Sequence, residues 1–239
     1  MNRRRFLVAA AAASGVAAGP VTAWTLAGKG SREEALPVRP ITPPADGVVR
    51  TAFAIGTGVN LIDTAGPWET FCDTAVYGGG RARFELFTVA GSTDPVETNG
   101  GLTITPRYTY DDAPQPQLVV VPAHTETDET LDWLRHVAHR ADLVMSVCTG
   151  AFVLARTGLL DGKTATTHHQ SYAAFAAAFP KIEVVRGRRF VEHEHLATAG
   201  GLTSGIDLAL RVVERYLGRA GADATADYLE YASRAATAT

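Results

Sequence analysis

The stretch "ADLVMSVCTGAFVLARTGLL", residues 141–160, decides the fold. Its first seven residues form the kind of continuous apolar run found in strands that are buried on both faces of a sheet. After Cys148, apolar residues recur with helical spacing as far as Gly158, a residue type common at helix ends. A buried strand that passes directly into a helix is the repeating unit of parallel α/β sheets.

Strand and helix patterns alternate along the rest of the chain. Strands are predicted in 48–56, 83–91, 117–123, 141–147, 163–167 and within 181–201, and helices in 67–77, 128–140, 149–158, 169–179, 202–218 and 222–233. Pro67 is expected at the first position of its helix, and Asn99-Gly100 predicts a hairpin in 96–106. The alternation predicts an α/β fold, with a doubly wound, mostly parallel sheet and helices on both faces.

The amino terminus has the features of an export signal. Arg4 and Arg5 precede Phe6-Leu7 and an Ala-rich apolar stretch, which is the twin-arginine pattern. We therefore predict a signal in residues 1–28, a Pro-rich tether in 29–47 and one folded domain in 48–239. Export would deliver the protein to the periplasm or the outside of the cell, with membrane attachment only if the signal is not cleaved.

Charge and composition exclude several classes of protein. The 239-residue chain is 46% hydrophobic and 20% charged, as expected of an ordinary globular domain. Loss of the predicted signal, which holds three arginines and no acidic residue, moves the net charge from −3 to −6. With no basic stripe or nucleic-acid motif, we expect no nucleic-acid partner. Of the two cysteines, Cys72 is expected to pack in the core, and no Cys72–Cys148 bridge is expected.

Three polar side chains follow predicted strands at the point where each strand ends. They are Asp63, Cys148 and His168, and chemistry in open parallel sheets collects at the carboxyl ends of the strands. The amino terminus of a helix favours thiolate over thiol, so Cys148 is a candidate nucleophile at a tight strand-to-helix turn. The alternatives are that Cys148 is a buried packing residue and that Asp63 caps a helix.

Metal and anion sites have weaker support in the sequence. His193 and His195 alternate along one strand, but no further ligand lies at a fitting spacing, so a solvated hairpin is expected and no metal. Glu69 and Asp73, one helical turn apart, are expected to form a solvated helix face. The "TAGGLTSG" segment, residues 198–205, lacks the lysine of a phosphate-binding loop, so close packing near the site is favoured.

Three segments together resemble the ThiJ/PfpI family of the class I glutamine amidotransferase-like superfamily. They are "NLIDTAGPWETF" (60–71), "SVCTGAFVLARTGLLDGKTATTHH" (146–169) and "TAGGLTSGIDLALRVVE" (198–214). Within the family, the sequence is most similar to isonitrile hydratases and to sensor-like domains of transcription regulators. The resemblance runs from about Val48 to residues 229–232. It implies a flavodoxin-like fold and a homodimer.

The resemblance also assigns residues. It implies Asp63, Cys148 and Thr149 as the catalytic residues, with His168 near the nucleophile. Substrate contacts are expected from the residues around them, namely Gly66, Ala123, His124, Gly150, His169 and Gly201. Two departures from the family pattern affect the expected pocket: His169 replaces a tryptophan, and Pro122-Ala123-His124 replaces a Pro-Gly-Gly loop that helps to form the oxyanion site. We expect His124 to point into the pocket.

The function implied by the resemblance is that of an exported, Cys-dependent enzyme. It would hydrate an isonitrile-like small molecule to an N-substituted formamide without a cofactor, with a Cys148 thiolate as nucleophile and a partly protonated Asp63 as proton donor. Two alternatives remain open at this point. One is a non-catalytic domain that senses or binds small molecules, although no carboxyl-terminal helix-turn-helix is expected. The other is a Cys-dependent hydrolase or glyoxalase-type activity.

Overall fold

A computed structural model describes residues 39–77 and 82–232. The predicted signal, 1–28, and the first part of the predicted tether lie outside these residues. The strands in chain order are β1 (Val48–Ala54), β2 (Arg83–Ala90), β3 (Val96–Glu97), β4 (Thr103–Ile104), β5 (Tyr108–Thr109), β6 (Leu118–Val121), β7 (Leu143–Ser146), β8 (Thr164–Ala165), β9 (Glu183–Val184), β10 (Phe190–Glu192) and β11 (Leu196–Ala199). The helices are α1 (Leu61–Tyr77), α2 (Asp128–Ala138), α3 (Gly150–Arg156), α4 (Tyr172–Ala178), α5 (Ser204–Leu217) and α6 (Arg219–Tyr228), with a 3₁₀ turn at His169–Ser171.

Seven strands form the central sheet, in the order β10-β11-β7-β6-β1-β2-β5. Every neighbouring pair is parallel except β10 and β11. The predicted doubly wound, mostly parallel sheet is therefore confirmed, as is the short β3–β4 hairpin around Asn99-Gly100. The chain leaves β1 toward β2 and later returns to its other side through β6. This change of direction between β1 and β6 is where ligands bind in open α/β sheets.

Helices cover both faces of the sheet, and each face has its own core. On one face α1, α5 and α6 pack around Phe53, Phe71 and Leu208. On the other face α2, α3 and α4 pack around Leu134, Leu154 and Phe175. Burial of the sheet on both sides explains why β6 and β7 consist of fully buried residues. Within the described residues, no helix is long and apolar enough to span a membrane.

Two glycines bring α1 and α5 into close contact. A Cβ atom on Gly66 would lie 2.9 Å from Ile206 Cγ1, and a Cβ atom on Gly205 would lie 3.2 Å from Pro67 Cγ. Both helices begin at the carboxyl end of the sheet and run in the same direction. Their amino termini therefore lie side by side next to the end of β7.

Helix α1 begins earlier than the sequence predicts. It starts at Leu61 and holds Pro67 inside it, so the prediction of Pro67 as the first helical residue is wrong. The side chain of Asn60 accepts a hydrogen bond from the Asp63 N–H at 3.4 Å, which places Asn60 at the amino-terminal cap. Asp63 therefore lies in the first turn of α1 rather than in a loop before it.

Strand β8 does not join the central sheet. It pairs only with β9, so His168 does not follow a central strand as predicted. The antiparallel β10–β11 pair turns through residues 193–195 rather than around Gly187. Here His193 Nε2 lies 2.8 Å from the Thr164 carbonyl oxygen and His195 Nδ1 lies 3.1 Å from the Asp142 carbonyl oxygen.

The second part of the predicted tether contacts the domain. Arg215 donates from Nε to the Arg39 carbonyl oxygen at 2.9 Å, and the Ile41 N–H donates to the Arg215 carbonyl oxygen at 2.8 Å. Both cysteines are free thiols. The prediction that Cys72 packs in the core is wrong, because it is exposed on α1.

Candidate functional site

Cys148 occupies a strained turn between β7 and α3. Its φ of +58° lies in the left-handed region, which costs a non-glycine residue about 1 kcal/mol or more. Hydrogen bonds hold it there: its N–H donates to the Gly200 carbonyl oxygen at 2.8 Å, and the Thr167 hydroxyl donates to its carbonyl oxygen at 2.9 Å. Strained residues that are fixed by their surroundings cluster at functional sites.

Gly150 permits the turn because no larger residue fits. A Cβ atom there would lie 2.1 Å from the Val121 carbonyl oxygen and 2.8 Å from the Pro122 carbonyl oxygen. The end of β6 therefore presses directly on the first residue of α3. The structure assigns Gly150 this close backbone contact, and its contact with substrate stays a prediction.

The carboxyl group of Asp63 lies beside the Cys148 thiol, and Asp63 is fully buried. Oδ2 accepts a hydrogen bond from the Ala123 N–H at 3.3 Å, while Oδ1 has no conventional hydrogen-bond partner among the described residues. The Asp63 carboxyl group is therefore buried next to the sulfur with one oxygen available for the thiol or for a ligand.

Burial and the proximity of the two groups set their protonation states. Desolvation raises the pKa of Asp63 from 3.8 to about 6, as the expectation of partial protonation requires. Desolvation and the negative charge of Asp63 raise the pKa of Cys148 from 9.0 to about 11, although two backbone N–H groups oppose this. The raised pKa favours the thiol in the resting site, so the thiolate stays a prediction for the reacting form. At neutral pH the pair is a thiol and a carboxylate.

The two opposing donors are the N–H groups of Thr149 and Leu202. Both lie near the sulfur and lower the pKa of Cys148, and the Leu202 N–H also lowers the pKa of Asp63. Leu202 directly follows Gly201 and has a φ of +52°. The role of Thr149 in stabilising charge stays a prediction, and Leu202 did not enter the sequence prediction.

His168 reaches the site through the loop after β11. A Cβ atom on Gly201 would lie 2.3 Å from His168 Cδ2, so the imidazole ring packs directly on that glycine. The ring of His169 lies 4.4 Å away and is exposed. Burial and the neighbouring His169 lower the pKa of His168. The structure therefore brings His168 and Gly201 next to Leu202, whereas His169 lies farther out.

The loop after β6 makes hydrogen bonds to Asp63 and within its own residues. Ala123 donates its N–H to Asp63 and accepts a hydrogen bond from the Asn60 N–H at 2.8 Å. His124 Nδ1 lies 2.9 Å from the Pro122 carbonyl oxygen, and burial lowers the pKa of His124 to about 4. Nδ1 therefore carries the proton, and the buried Nε2 has no partner among the described residues. The ring packs on Gly56, so its contact with substrate stays a prediction.

The last of the predicted substrate contacts, Gly66, lies in the packing between two helices. Gly66 faces Ile206 within the α1–α5 contact, so its role toward substrate also stays a prediction. Sequence reasoning missed Leu202, Thr167 and the Gly200 carbonyl group. Thr167 and Gly200 hold Cys148, and Leu202 contacts it through a backbone N–H. Their signal in the sequence is only their position at the ends of β8 and β11.

One group of side chains could in principle hold a metal ion. Within the described part of the chain, Glu69, Cys72 and Asp73 have ligand atoms within 4.8 Å of one another on the surface of α1. Glu69 is exposed, as the predicted solvated face requires, and Asp73 is half-buried. Nothing else at this surface indicates a metal ion.

A sequence model of the DJ-1/PfpI family matches residues 49–215. The chain is 31% identical over 191 residues to an isonitrile hydratase from Pseudomonas putida, and the match covers 77% of this chain and 79% of the hydratase. It is 28% identical to a crystal structure of a THiJ/PfpI family protein from Pseudomonas syringae. That superposition has a TM-score of 0.68 and covers 77% of this chain and 76% of the other.

Relatives with a different activity also match. The HTH-type transcriptional regulator GbdR from Pseudomonas aeruginosa is 30% identical over 145 residues, which is 59% of this chain and 39% of the regulator. The similarity therefore covers less than half of that longer protein. The family match over residues 49–215, together with the cysteine turn and its neighbouring carboxyl group, leads to one conclusion: the chain belongs to the DJ-1/PfpI family.

Proposed function

We propose that the protein is a Cys-dependent enzyme that hydrates an isonitrile (isocyanide) to an N-substituted formamide. The observation that carries the proposal is the buried Cys148 thiol beside the Asp63 carboxyl group, with two backbone N–H groups near the sulfur. Similarity to an isonitrile hydratase over three quarters of the chain supports the choice of substrate. The substrate is a small molecule, and no step requires a cofactor.

In the first step, the sulfur and the proton of the thiol both add to the terminal carbon of the isocyanide. Asp63 accepts the thiol proton as the sulfur forms a bond to that carbon, and then delivers the same proton to the carbon. The product is a thioimidate, in which carbon is bound to sulfur, hydrogen and nitrogen. The Thr149 and Leu202 N–H groups stabilise negative charge on the sulfur during the transfer.

The second step releases the product with water. The oxygen of water bonds to the thioimidate carbon, and the nitrogen takes up a proton. The carbon–sulfur bond then breaks and the hydroxyl group loses its proton, so that the formamide leaves and the Cys148 thiol is restored. Asp63 is the acid and base within reach for these transfers.

A panel of alkyl isocyanides, amides and 2-oxoaldehydes tests the proposal. We expect formamide from the isocyanides, measured by mass spectrometry, and only background product from the Cys148→Ala protein. Turnover of an amide or an oxoaldehyde alone would instead favour a hydrolase or glyoxalase-type activity. Full isocyanide turnover by both Cys148→Ala and Cys148→Ser would contradict the scheme.

The pH profile distinguishes a thiol–carboxylate pair from a resting thiolate. Asp63 accepts the proton only when ionised, and its pKa in the folded protein is raised to about 6. We therefore expect kcat/KM to fall about tenfold per pH unit below pH 6 and to stay level from pH 7 to 9. A steady tenfold rise per unit across pH 7 to 9 would show that free thiolate is the reacting form.

A second candidate function is small-molecule sensing without turnover. The raised pKa of Cys148 favours it, because a resting thiol is a weak nucleophile. Several relatives are named transcriptional regulators, so the expected lack of a nucleic-acid partner stays a prediction. Calorimetric binding of an isocyanide that is recovered unchanged would support sensing over hydration.

We also propose that the protein is exported by the twin-arginine route and forms a homodimer. The Arg4-Arg5-Phe6-Leu7 pattern supports export, and family membership supports the dimer. Cell fractionation of the wild type and of a variant with lysine at positions 4 and 5 tests export. Sedimentation of the purified protein tests the dimer.

A further inference from the structure

Exposed apolar side chains concentrate beside the reacting groups. Among the described residues, five large hydrophobic side chains are exposed, and three of them lie near Asp63 or Cys148. These are Leu61, Ile62 and Leu202, which are 37%, 38% and 40% exposed. Apolar side chains are scattered singly over most surfaces, so this clustering at one site calls for a cause.

The packing of α1 on α5 brings the start of α1 close to the loop that precedes α5. Gly66 lies against Ile206, and the two helices run in the same direction. Ile62 precedes Gly66 by four residues, one helical turn, and therefore lies on the same face of α1. Leu202 lies two residues before α5, in the loop whose Gly200 carbonyl oxygen accepts the Cys148 N–H. Ile62 directly precedes Asp63, and the Leu202 N–H lies near the Asp63 carboxyl group, so both apolar residues adjoin the reacting pair.

Leu202 has a backbone conformation that is unfavourable for a residue with a side chain. Its φ of +52° is one that glycine adopts freely and leucine adopts at about 1 kcal/mol or more. Glycine would supply the same N–H to the sulfur without this cost. The isobutyl group is also exposed, so burial in the core does not repay the strain.

We propose that Leu202 and Ile62 form an apolar clamp at the entrance to the site, which selects reagents and substrates whose non-reacting part is a hydrocarbon group. For the substrate itself this rests on the proposed function, since it names the substituent on the isocyanide nitrogen. The Leu202 N–H holds the sulfur and the Leu202 side chain contacts the substituent. Leu202 would therefore contact both the reacting sulfur and the group that distinguishes one substrate from another.

N-alkylmaleimides test the clamp without relying on turnover. In a Cys72→Ser background only Cys148 reacts: its sulfur bonds to one alkene carbon and the thiol proton ends on the other. We expect the labelling rate of this protein to rise about threefold per added methylene from ethyl to butyl. Leu202→Asn keeps the side-chain size and tolerates the left-handed backbone, and we expect it to reduce the rise to below about 1.5-fold.

Leu102→Asn is the matched control. Leu102 is 59% exposed in the β3–β4 hairpin, so this variant should retain the chain-length dependence, whereas Ile62→Ala should weaken it. A flat dependence in the parent protein, or no labelling at any length, would overturn the clamp. A change of sedimenting mass in Leu202→Asn, together with its flat chain-length dependence, would also overturn the clamp. It would identify the surface as a contact with a second copy of the chain.

Alkyl isocyanides of the same lengths separate the two proposals. If kcat/KM rises with length in the wild type and not in Leu202→Asn, both proposals stand. If no isocyanide is hydrated but the maleimide dependence is present and is lost in Leu202→Asn, the proposed function is wrong and the clamp remains. If isocyanides of all lengths react equally, the clamp is wrong and the proposed function remains.

Discussion

Asp63→Asn is expected to make the Cys148 thiol easier to alkylate while slowing isocyanide hydration by about 10²- to 10⁴-fold. The two effects have opposite directions because Asp63 acts on the sulfur in two ways. Its negative charge raises the pKa of Cys148, so removal of that charge lowers the pKa and increases the thiolate fraction at pH 8. Its carboxylate is also the only proposed proton acceptor, and an amide cannot take that role.

The measurement compares iodoacetamide labelling with formamide production in one set of proteins. The Cys72→Ser background again restricts labelling to Cys148. Asp73→Asn is the matched control, since Asp73 lies on the same helix, raises the pKa of Cys72 and is not among the groups that shift the pKa of Cys148. Faster hydration together with faster labelling in Asp63→Asn would show that the carboxylate only restrains the thiol.

Gly150→Ala is expected to destabilise the fold by about 3 kcal/mol or more. The added methyl group would lie 2.1 Å from the Val121 carbonyl oxygen, and this neighbour is backbone within the central sheet. Relief of the clash requires either β6 or the start of α3 to move. Either movement also disturbs the Cys148 turn, so labelling of Cys148 should change along with stability. Urea unfolding followed by circular dichroism measures the loss.

Gly100→Ala supplies the reference for the loss of a glycine. A Cβ atom on Gly100 would meet nothing within 4 Å, and its φ is not in the left-handed region. Its free energy of unfolding should therefore stay within about 0.5 kcal/mol of the wild type. Equal stability for Gly150→Ala and Gly100→Ala would mean that the close contact at the turn does not constrain the fold.

Periodicity in the sequence predicts the fold well because burial governs both. The apolar runs of β6 and β7 must be covered on two faces, and the amphipathic pattern of α2 fits only one face of a sheet. Local signals predict boundaries less well. Pro67 is favoured at the first turn of a helix, but Asn60 caps α1 and the packing of the helix on α5 stabilises an earlier start.

Sequence reasoning could identify those site residues whose side chains carry the chemistry. Asp63, Cys148 and Thr149 come together as the family resemblance implies. The role of Leu202 could not be predicted, because a backbone N–H has no residue type and its direction depends on a left-handed φ. The raised pKa of Cys148 was also out of reach, since it results from burial and from the charge of Asp63, a residue distant in sequence.

The contacts that hold Cys148 also fix when the site can form as the chain is synthesised. Cys148 is bound by the Thr167 hydroxyl, the Gly200 carbonyl and the Leu202 N–H, all of which lie later in the sequence. A nascent chain that ends before residue 200 holds β1, β2, β6 and β7 but lacks two of these three partners. The turn at Cys148 is therefore fixed by all its partners only after most of the domain has left the ribosome.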